Sequence, residues 1–230
     1  MTRPRRIVVL TGAGISAESG INTFRDNGGL WENQRMEDVA TPEAFARDPQ
    51  LVQRFYNARR AQLKDVMPNP AHLALAEFEK TFDGGFLLVT QNVDDLHDRA
   101  GSHTLIHMHG ELKKSRCTRT QKIHEQMADI TDNTLCDCCG TPTLRPHIVW
   151  FGETPLMMDE IYQALDQCDL FLSIGTSGHV YPAAGFVEVS RQAGARTVEI
   201  NKEPSLGIDH FAEAIQGLAS VEVPAFLRTL

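Results

Sequence analysis

The chain reads as an α/β protein built on a doubly wound parallel sheet, interrupted by a helical insertion and by a small cysteine-bearing module. Three observations predict this. Four short β-branched or leucine-rich runs, at 7–10, 86–89, 170–174 and 197–200, are separated by helix-length segments. Strands covered by helices on both faces are written as continuous apolar runs of this kind. Two stretches break the rhythm: residues 25–72 are helix-prone with no strand candidate, and residues 110–146 are polar and hold four of the five cysteines. The length, 230 residues, exceeds one average domain and falls short of two. The expectation is a single domain, 1–230, in which 1–24, 73–109 and 147–230 form the sheet core, 25–72 is a loop and helical insertion, and 110–146 is a small ribbon-like module.

Taken in order, the first run leads into Thr11-Gly12-Ala13-Gly14-Ile15-Ser16-Ala17. This G-x-G-x-x-A turn should open a helix whose first amides face a pyrophosphate, making the core Rossmann-like. A dehydrogenase of that class carries an acidic residue at the end of its second strand, about 20 residues on. Here that distance falls in Leu30-Trp31-Glu32, not at a strand end, which weakens a hydride-transfer reading. Within 25–72, Thr41-Pro42-Glu43 predicts a helix start and Met67-Pro68-Asn69-Pro70 a stop. The later runs end in Gln91-Asn92, Gly175-Thr176-Ser177 and Asn201. Ligands of open α/β sheets bind beyond the carboxyl ends of the strands, so four polar strand ends imply one shared pocket.

Composition narrows the function. Lys and Arg total 22 against 30 Asp and Glu, a net charge of −8, which argues against nucleic acid as the main partner because phosphate binding needs a cationic surface. The apolar run after the basic start MTRPRR is too short for a signal-peptide core, and no stretch approaches the roughly 20 apolar residues of a membrane helix. A cytoplasmic protein with no membrane partner is expected. Five cysteines, three of them at Cys136, Cys138 and Cys139, fit a metal site or free thiols better than a secreted disulfide framework.

Beyond the glycine turn the sequence continues through Glu18-Ser19-Gly20-Ile21, Thr23-Phe24-Arg25-Asp26 and Gly29-Leu30-Trp31. With Gln91-Asn92-Val93-Asp94, His107-Met108-His109-Gly110, Gly175-Thr176-Ser177 and Asn201-Lys202-Glu203, this closely resembles the sirtuin family. The motifs stand in family order over nearly the whole chain, and residues 146–153 and 175–185 look like the bacterial CobB-type members. The resemblance implies an NAD-dependent protein lysine deacylase. In that chemistry NAD is a co-substrate, nicotinamide leaves, and the acyl group is transferred to ADP-ribose.

By the same resemblance His109 is the general base, and imidazole with an ordinary pKa near ~6.5 suits that task at neutral pH. Asn92 and Asp94 join it as catalytic candidates, Asp94 toward the nicotinamide carboxamide. Gly12, Ala13, Gly14, Ala17, Glu18, Thr23, Phe24, Arg25 and Trp31 would wrap NAD, with Phe24 as an aromatic lid that shields the reacting ribose from water. Gln91, Val93, Gly175, Thr176, Ser177, Asn201, Lys202, Glu203 and Ala219 complete the expected cofactor contacts. His107, two residues from His109 on an extended segment, should point to the opposite face.

The partners implied are acylated lysines on extended peptides, running between Val149, Phe151, Gly152 and Glu153 on one side and residues 178–181 on the other. Recognition by strand addition uses backbone hydrogen bonds and tolerates many sequences. Tyr56 and Arg59, three apart and so on one helix face, resemble the Y-x-x-R signature of class III sirtuins, in which they bind the distal carboxylate of succinyl- or malonyl-lysine. Sirtuins generally hold a structural zinc with two C-x2-C pairs. Here Cys117, Cys136 and Cys139 match, but Thr120 stands where a fourth cysteine belongs. Cys138 or His124 would complete a zinc site; the alternative is a module without metal, held by packing or a disulfide. Cys168, just before the third run, reads as a buried apolar residue.

Overall fold

The structure is a computed structural model that describes residues 3–21, 30–31 and 34–230. Among the described residues the main sheet has the strands β1 (Arg6–Thr11), β4 (Gly85–Thr90), β5 (Leu105–His107), β9 (Leu170–Ile174), β10 (Arg196–Asn201) and β11 (Glu213–Gln216), in the spatial order β11-β10-β9-β1-β4-β5. Every pairing in it is parallel. The four runs singled out in the sequence are its inner strands. β5 and β11 are edge strands of three and four residues, too short and too partly exposed to stand out as apolar runs.

Alternation sends the side chains of one strand to two cores. Ile7 and Val9 of β1 face Leu75 of α5 (Pro70–Thr81) and Val223 and Phe226 of α9 (Ala219–Leu227). Val8 and Leu10 face the opposite layer, where Ile161 and Leu165 of α7 (Met158–Leu165) pack with Phe186 and Val187 of α8 (Phe186–Gln192). The chain leaves β1 in one direction toward β4 and β5 and returns on the other side as β9, β10 and β11. The strand order therefore reverses between β1 and β9, and the crevice of a doubly wound sheet opens at such a point.

Between β1 and β4 lie α1 (Ala13–Ala17), a two-residue antiparallel pair β2 (Leu30–Trp31) and β3 (Gln34–Arg35), then α2 (Met36–Val39), α3 (Pro42–Arg47) and α4 (Pro49–Gln62). Thr41 caps α3 as expected, its side chain accepting from the Ala44 amide at 3.0 Å. Two expectations are corrected here. The β2/β3 pair puts strand where none was anticipated, because two residues carry no detectable period. The 67–70 cluster starts a helix rather than stopping one: α4 has already ended at Gln62, and Asn69 caps α5 through the Ala71 amide.

After α6 (Leu96–Ala100) and β5, the chain builds a second, antiparallel sheet of β6 (Gly110–Cys117), β7 (Ile123–Glu125) and β8 (Leu144–Ile148) in the order β7-β6-β8. A third core, with Val52, Phe55 and Tyr56 of α4 against Leu112, Ile148 and Trp150, joins the helical insertion to this small sheet. Polar bolts reinforce it. Asn57 donates to the Ile130 carbonyl at 2.8 Å and accepts from the Ile130 amide at 3.0 Å, while Arg60 donates to the Leu112 carbonyl at 2.7 Å. The candidate site lies between this core and the main sheet.

Candidate active site

A cavity of about 550 Å³ opens at the reversal point, within the range of small-molecule and cofactor sites. Register brings the strand ends level: Thr11 pairs with Thr90 on one side and with Ile174 on the other, and Ile174 pairs with Ile200. The residues that follow these strands, Gly12, Gln91, Gly175 and Asn201, therefore line one floor. The glycine loop is tied down to it. Gly12, Gly14 and Ile15 donate their amides to the carbonyls of Ile174, Gly175 and Gly12, so these three amides fix the loop against the strand ends. Gly175 has a φ of +63°, and a Cβ there would meet the Ile15 nitrogen at 2.4 Å. Only glycine lets the loops after β1 and β9 lie this close.

Just above the floor, Ser16 of α1 organises two of the predicted catalytic side chains. Its hydroxyl donates to Asp94 Oδ2 at 3.1 Å and accepts from Asn92 Nδ2 at 3.1 Å. Asn92 also donates to the Gly12 carbonyl at 3.2 Å, and Asp94 accepts from the Leu96 amide at 3.1 Å. Burial raises the Asp94 pKa above the usual carboxylate value, with the Leu96 and Ser16 hydrogen bonds opposing it. Behind them, Ser16 meets His72 Nε2 at 3.4 Å, and the His72 and His97 rings sit 4.7 Å apart. Burial lowers His72 from 6.5 to about 4 and holds His97 well below its ordinary value. Both rings are therefore neutral.

His109 follows β5 at the seam between the two sheets. Its Nδ1 lies 3.1 Å from the Gln91 carbonyl, a contact that requires the proton on Nδ1 and leaves Nε2 as the acceptor. Desolvation lowers its pKa below 6.5, partly countered by that hydrogen bond. His107 does turn away: its Nε2 lies 3.0 Å from Asp98, in a separate cavity of about 310 Å³.

At the far end Tyr56 and Arg59 of α4 line the same cavity, both buried, at 0% and 6% exposure. Trp150 donates its indole N–H to the Tyr56 hydroxyl at 3.0 Å. Burial pushes the Tyr56 phenol far above its ordinary value of 10.0. The mouth is apolar and open, with Phe151 at 49% and Tyr181 at 78% exposure.

The structure thus brings together every predicted catalytic, cofactor and substrate residue whose side chain is described, from Ala13, Ala17 and Val93 to Val149 and Gly152, with the predicted metal ligands apart from them in the small module. Thr23, Phe24 and Arg25 lie outside the described residues, and Trp31 enters only as a residue of β2. Two residues that line the cavity use their carboxylates elsewhere. Both oxygens of Glu18 accept from Ser220, beside Ala219, so Glu18 ties α1 to the start of α9. Glu153 receives Arg145 at 2.7 and 2.9 Å and the Trp150 amide at 2.9 Å, so its charge is engaged by the protein. Asn201 likewise donates to the Thr176 carbonyl at 2.6 Å, while Thr176 and Ser177 border the same loop as Lys202 and Glu203. Sequence reasoning did not select Ser16, Trp150 or Arg145. The first two stand inside quoted motifs, but their hydrogen bonds reach partners 78 and 94 residues away, which no local pattern reveals.

In the small module the sulfurs of Cys117, Cys136, Cys138 and Cys139 lie within 4.8 Å of one another. A tetrahedral zinc with Zn–S near ~2.3 Å needs sulfurs about 3.8 Å apart; Cys117 and Cys139 are at 3.8 Å and Cys136 and Cys138 at 3.1 Å. The donor set, four sulfurs within reach of one ion, is compatible with zinc; the first separation is the tetrahedral one and the second is shorter. Of the two candidates for the fourth ligand, Cys138 belongs to this cluster, and His124 approaches Cys136 alone, at 3.5 Å. Thr120 supports sulfur instead of supplying it: its hydroxyl lies 3.0 Å from Cys138 Sγ and its amide donates to Cys117 Sγ at 3.4 Å. Cys168 is buried among Leu165, Phe171 and Val187.

A doubly wound sheet with a deep cavity at its reversal point, a half-buried histidine of lowered pKa in that cavity and a four-cysteine module define a dinucleotide-using enzyme of the α/β class. Residues 12–182 match the model of the Sir2 family. The chain is 60% identical over 229 residues to an NAD-dependent protein deacylase of Vibrio vulnificus, covering 98% of this chain and 94% of the relative. It is 58% identical to one of Escherichia coli over 233 residues, covering 100% and 83%. A crystal structure of a Sir2 homologue in complex with NAD superposes with a TM-score of 0.90 at 39% identity, covering 99% of this chain and 90% of that one. The chain belongs to the Sir2 (sirtuin) family.

Proposed function

We propose that this protein removes acyl groups from protein lysines at the expense of NAD, with His109 as general base and with Tyr56 and Arg59 selecting acyl groups that end in a carboxylate. The enzyme is an NAD-dependent protein deacylase, as its relatives are named. The observation that supports the assignment of roles is the 3.1 Å contact of His109 Nδ1 with the Gln91 carbonyl inside the shared cavity, which leaves Nε2 to accept a proton.

Bound NAD supplies an electrophilic ribose carbon and nicotinamide as its leaving group. The chain's own groups do the rest. Nε2 of His109 accepts a proton from a hydroxyl brought into the cavity, and its lowered pKa keeps it unprotonated at neutral pH. Ser16 fixes the side chains of Asn92 and Asp94, so that Asp94 presents its carboxyl toward the carboxamide while Asn92 orients the ribose side. The paired loops at Gly12 and Gly175, with Asn201, Lys202, Glu203 and Ala219, form the nucleotide end of the cavity. The acyl-lysine enters past Phe151 and Tyr181 and is directed toward Arg59, whose planar guanidinium suits bidentate pairing with a carboxylate. Acetyl-lysine reaches His109 without using that charge.

Zinc at the four cysteines would be structural, closing β6 against the 136–139 turn. The main sheet, the 25–72 insertion and the 110–146 module act as one catalytic domain. Free cysteines in so close a group favour a reducing compartment, which supports a cytoplasmic location. Among the described residues no helix is long and apolar enough to cross a membrane.

The test is one incubation. With NAD and an acylated peptide, mass spectrometry is expected to show free nicotinamide, the bare peptide and O-acyl-ADP-ribose in equal amounts. Deacylation that proceeds without NAD, or release of free acid in place of O-acyl-ADP-ribose, would overturn the reading.

A further inference from the structure

We infer that Trp150 is a specificity-determining positioning residue: its indole N–H occupies the acceptor side of the Tyr56 hydroxyl, so that Tyr56 meets the acyl group as a hydrogen-bond donor. The inference rests on the acyl-pocket reading above and adds to it the device that sets the polarity of the pocket. A phenol can donate one hydrogen bond and can also accept. On its own, Tyr56 could turn its lone pairs toward the substrate and repel a carboxylate. Donation from Trp150 Nε1 at 3.0 Å turns the phenolic proton away from the indole. Burial keeps that proton in place, because the ionised form is strongly disfavoured at a fully buried site.

The indole is itself held rigidly. The Arg145 guanidinium stacks over its ring at 3.4 Å from the centroid, and Phe45 packs against it with ring centroids 5.3 Å apart. Arg145 in turn is bound to both oxygens of Glu153 and to the Ile148 carbonyl at 2.8 Å. Glu153 also accepts from the Trp150 amide at 2.9 Å. The ion pair thus grips the backbone and the ring of the same tryptophan. This gives the carboxylate of Glu153 and the charge of Arg145 a task that does not require contact with the peptide.

The experiment is a double-mutant cycle on the intact enzyme with matched acetyl and succinyl peptides, using Trp150→Phe, Tyr56→Phe and both together, with Arg59→Met as reference. Trp150→Phe keeps a ring against Arg145 and Phe45 but removes the N–H. It is expected to lower the succinyl-to-acetyl ratio of kcat/KM by about 3- to 10-fold, the scale of one neutral hydrogen bond, mostly through KM for the succinyl peptide. In the Tyr56→Phe background the same change should have no further effect on the ratio, since the hydroxyl it acts through is gone. Independently of how well Trp150→Phe folds, the Trp150 indole N–H of the parent should exchange slowly with solvent and appear downfield by NMR, and Tyr56→Phe should move it upfield. Losses that multiply in the double variant, a Trp150→Phe ratio equal to the parent's, or an indole resonance indifferent to Tyr56→Phe would overturn the inference. Failure of the underlying reading has a different signature: Tyr56→Phe and Arg59→Met would then leave the succinyl-to-acetyl ratio where it was.

Discussion

Replacing Arg59 by Met tests the acyl pocket most directly, and the structure sets the size of the effect. Arg59 is 6% exposed, on a helix whose neighbouring face is buried in the third core. A carboxylate brought there gives up its water. Hydrogen bonds to a charged partner return about 1.5–3 kcal/mol, and a buried charge whose partner is removed costs about 3–5 kcal/mol. Some solvent enters through the open mouth, so about 2–4 kcal/mol is the expected loss for succinyl-lysine, about 30- to 1000-fold in kcat/KM. An acetyl group has no carboxylate to lose, and its kcat/KM should shift by a far smaller factor. Steady-state kinetics on the two peptides decides the matter. Arg60, one residue on, is the control: it donates to the Leu112 carbonyl and to Asn57, so Arg60→Met should lower Tm and affect both substrates alike. If Arg59→Met behaves as Arg60→Met does, Arg59 supports the fold and the carboxylate pocket does not exist.

His109→Ala should reduce deacylation by about 100-fold or more, the usual contribution of a general base, while NAD binding measured by calorimetry is largely retained; near-normal turnover would remove His109 from the mechanism. Because desolvation lowers its pKa below 6.5, the acidic limb of kcat/KM against pH should fall below 6.5, and a limb above 7 would contradict the desolvated, neutral imidazole. Stability should fall on the acid side for a related reason. His72, lowered to about 4, binds its proton more weakly folded than unfolded, so stability is full above pH ~6.5 and declines as pH drops toward ~4; His72→Asn should flatten the curve of Tm against pH over that window. For the metal, elemental analysis should find up to one zinc per chain, and Cys138→Ala should lower both zinc content and Tm. A chain that holds no zinc and whose Tm a chelator leaves unchanged would show that the four sulfurs serve packing alone.

How much of this was legible in the sequence depended on whether a feature is local. The inner strands were, because residues such as Val8, Leu10, Phe171 and Leu172 are buried on both faces and leave an unbroken apolar run. β11 was not, since Ala214 and Gln216 are exposed along one side of an edge strand. Pro68 and Pro70 marked a boundary correctly but not its sense: Pro at the first position of a helix starts it as readily as Pro after a helix follows its end, and here Asn69 and Pro70 open α5. The site residues were legible as motifs, while their engagements were not. Glu18 looks like a cofactor ligand until Ser220, 202 residues later, takes both of its oxygens. Thr120 looks like a lost ligand until the fold puts Cys138 beside Cys136 and turns the threonine hydroxyl toward its sulfur.

His109, the proposed base, is held by backbone contacts from both sheets. Its neighbour Met108 donates to the Thr90 carbonyl of the main sheet at 3.0 Å and accepts from the Leu156 amide at 2.9 Å. The His109 carbonyl accepts from Val149 at 2.9 Å, on the peptide side of the cavity, and Gly110 opens β6 at a φ of +82°, where a Cβ would meet the His147 carbonyl oxygen at 2.0 Å. The imidazole of His109, the proposed base, is thus pinned between the strand ends that line the cavity floor and the segment that carries Trp150. Movement of the small sheet against the main one would displace the imidazole from Gln91 and the acyl pocket from the nucleotide end together. It follows that stabilising the module, whether by zinc or by packing, bears on the placement of His109, the proposed base, through the geometry of one glycine and three backbone hydrogen bonds.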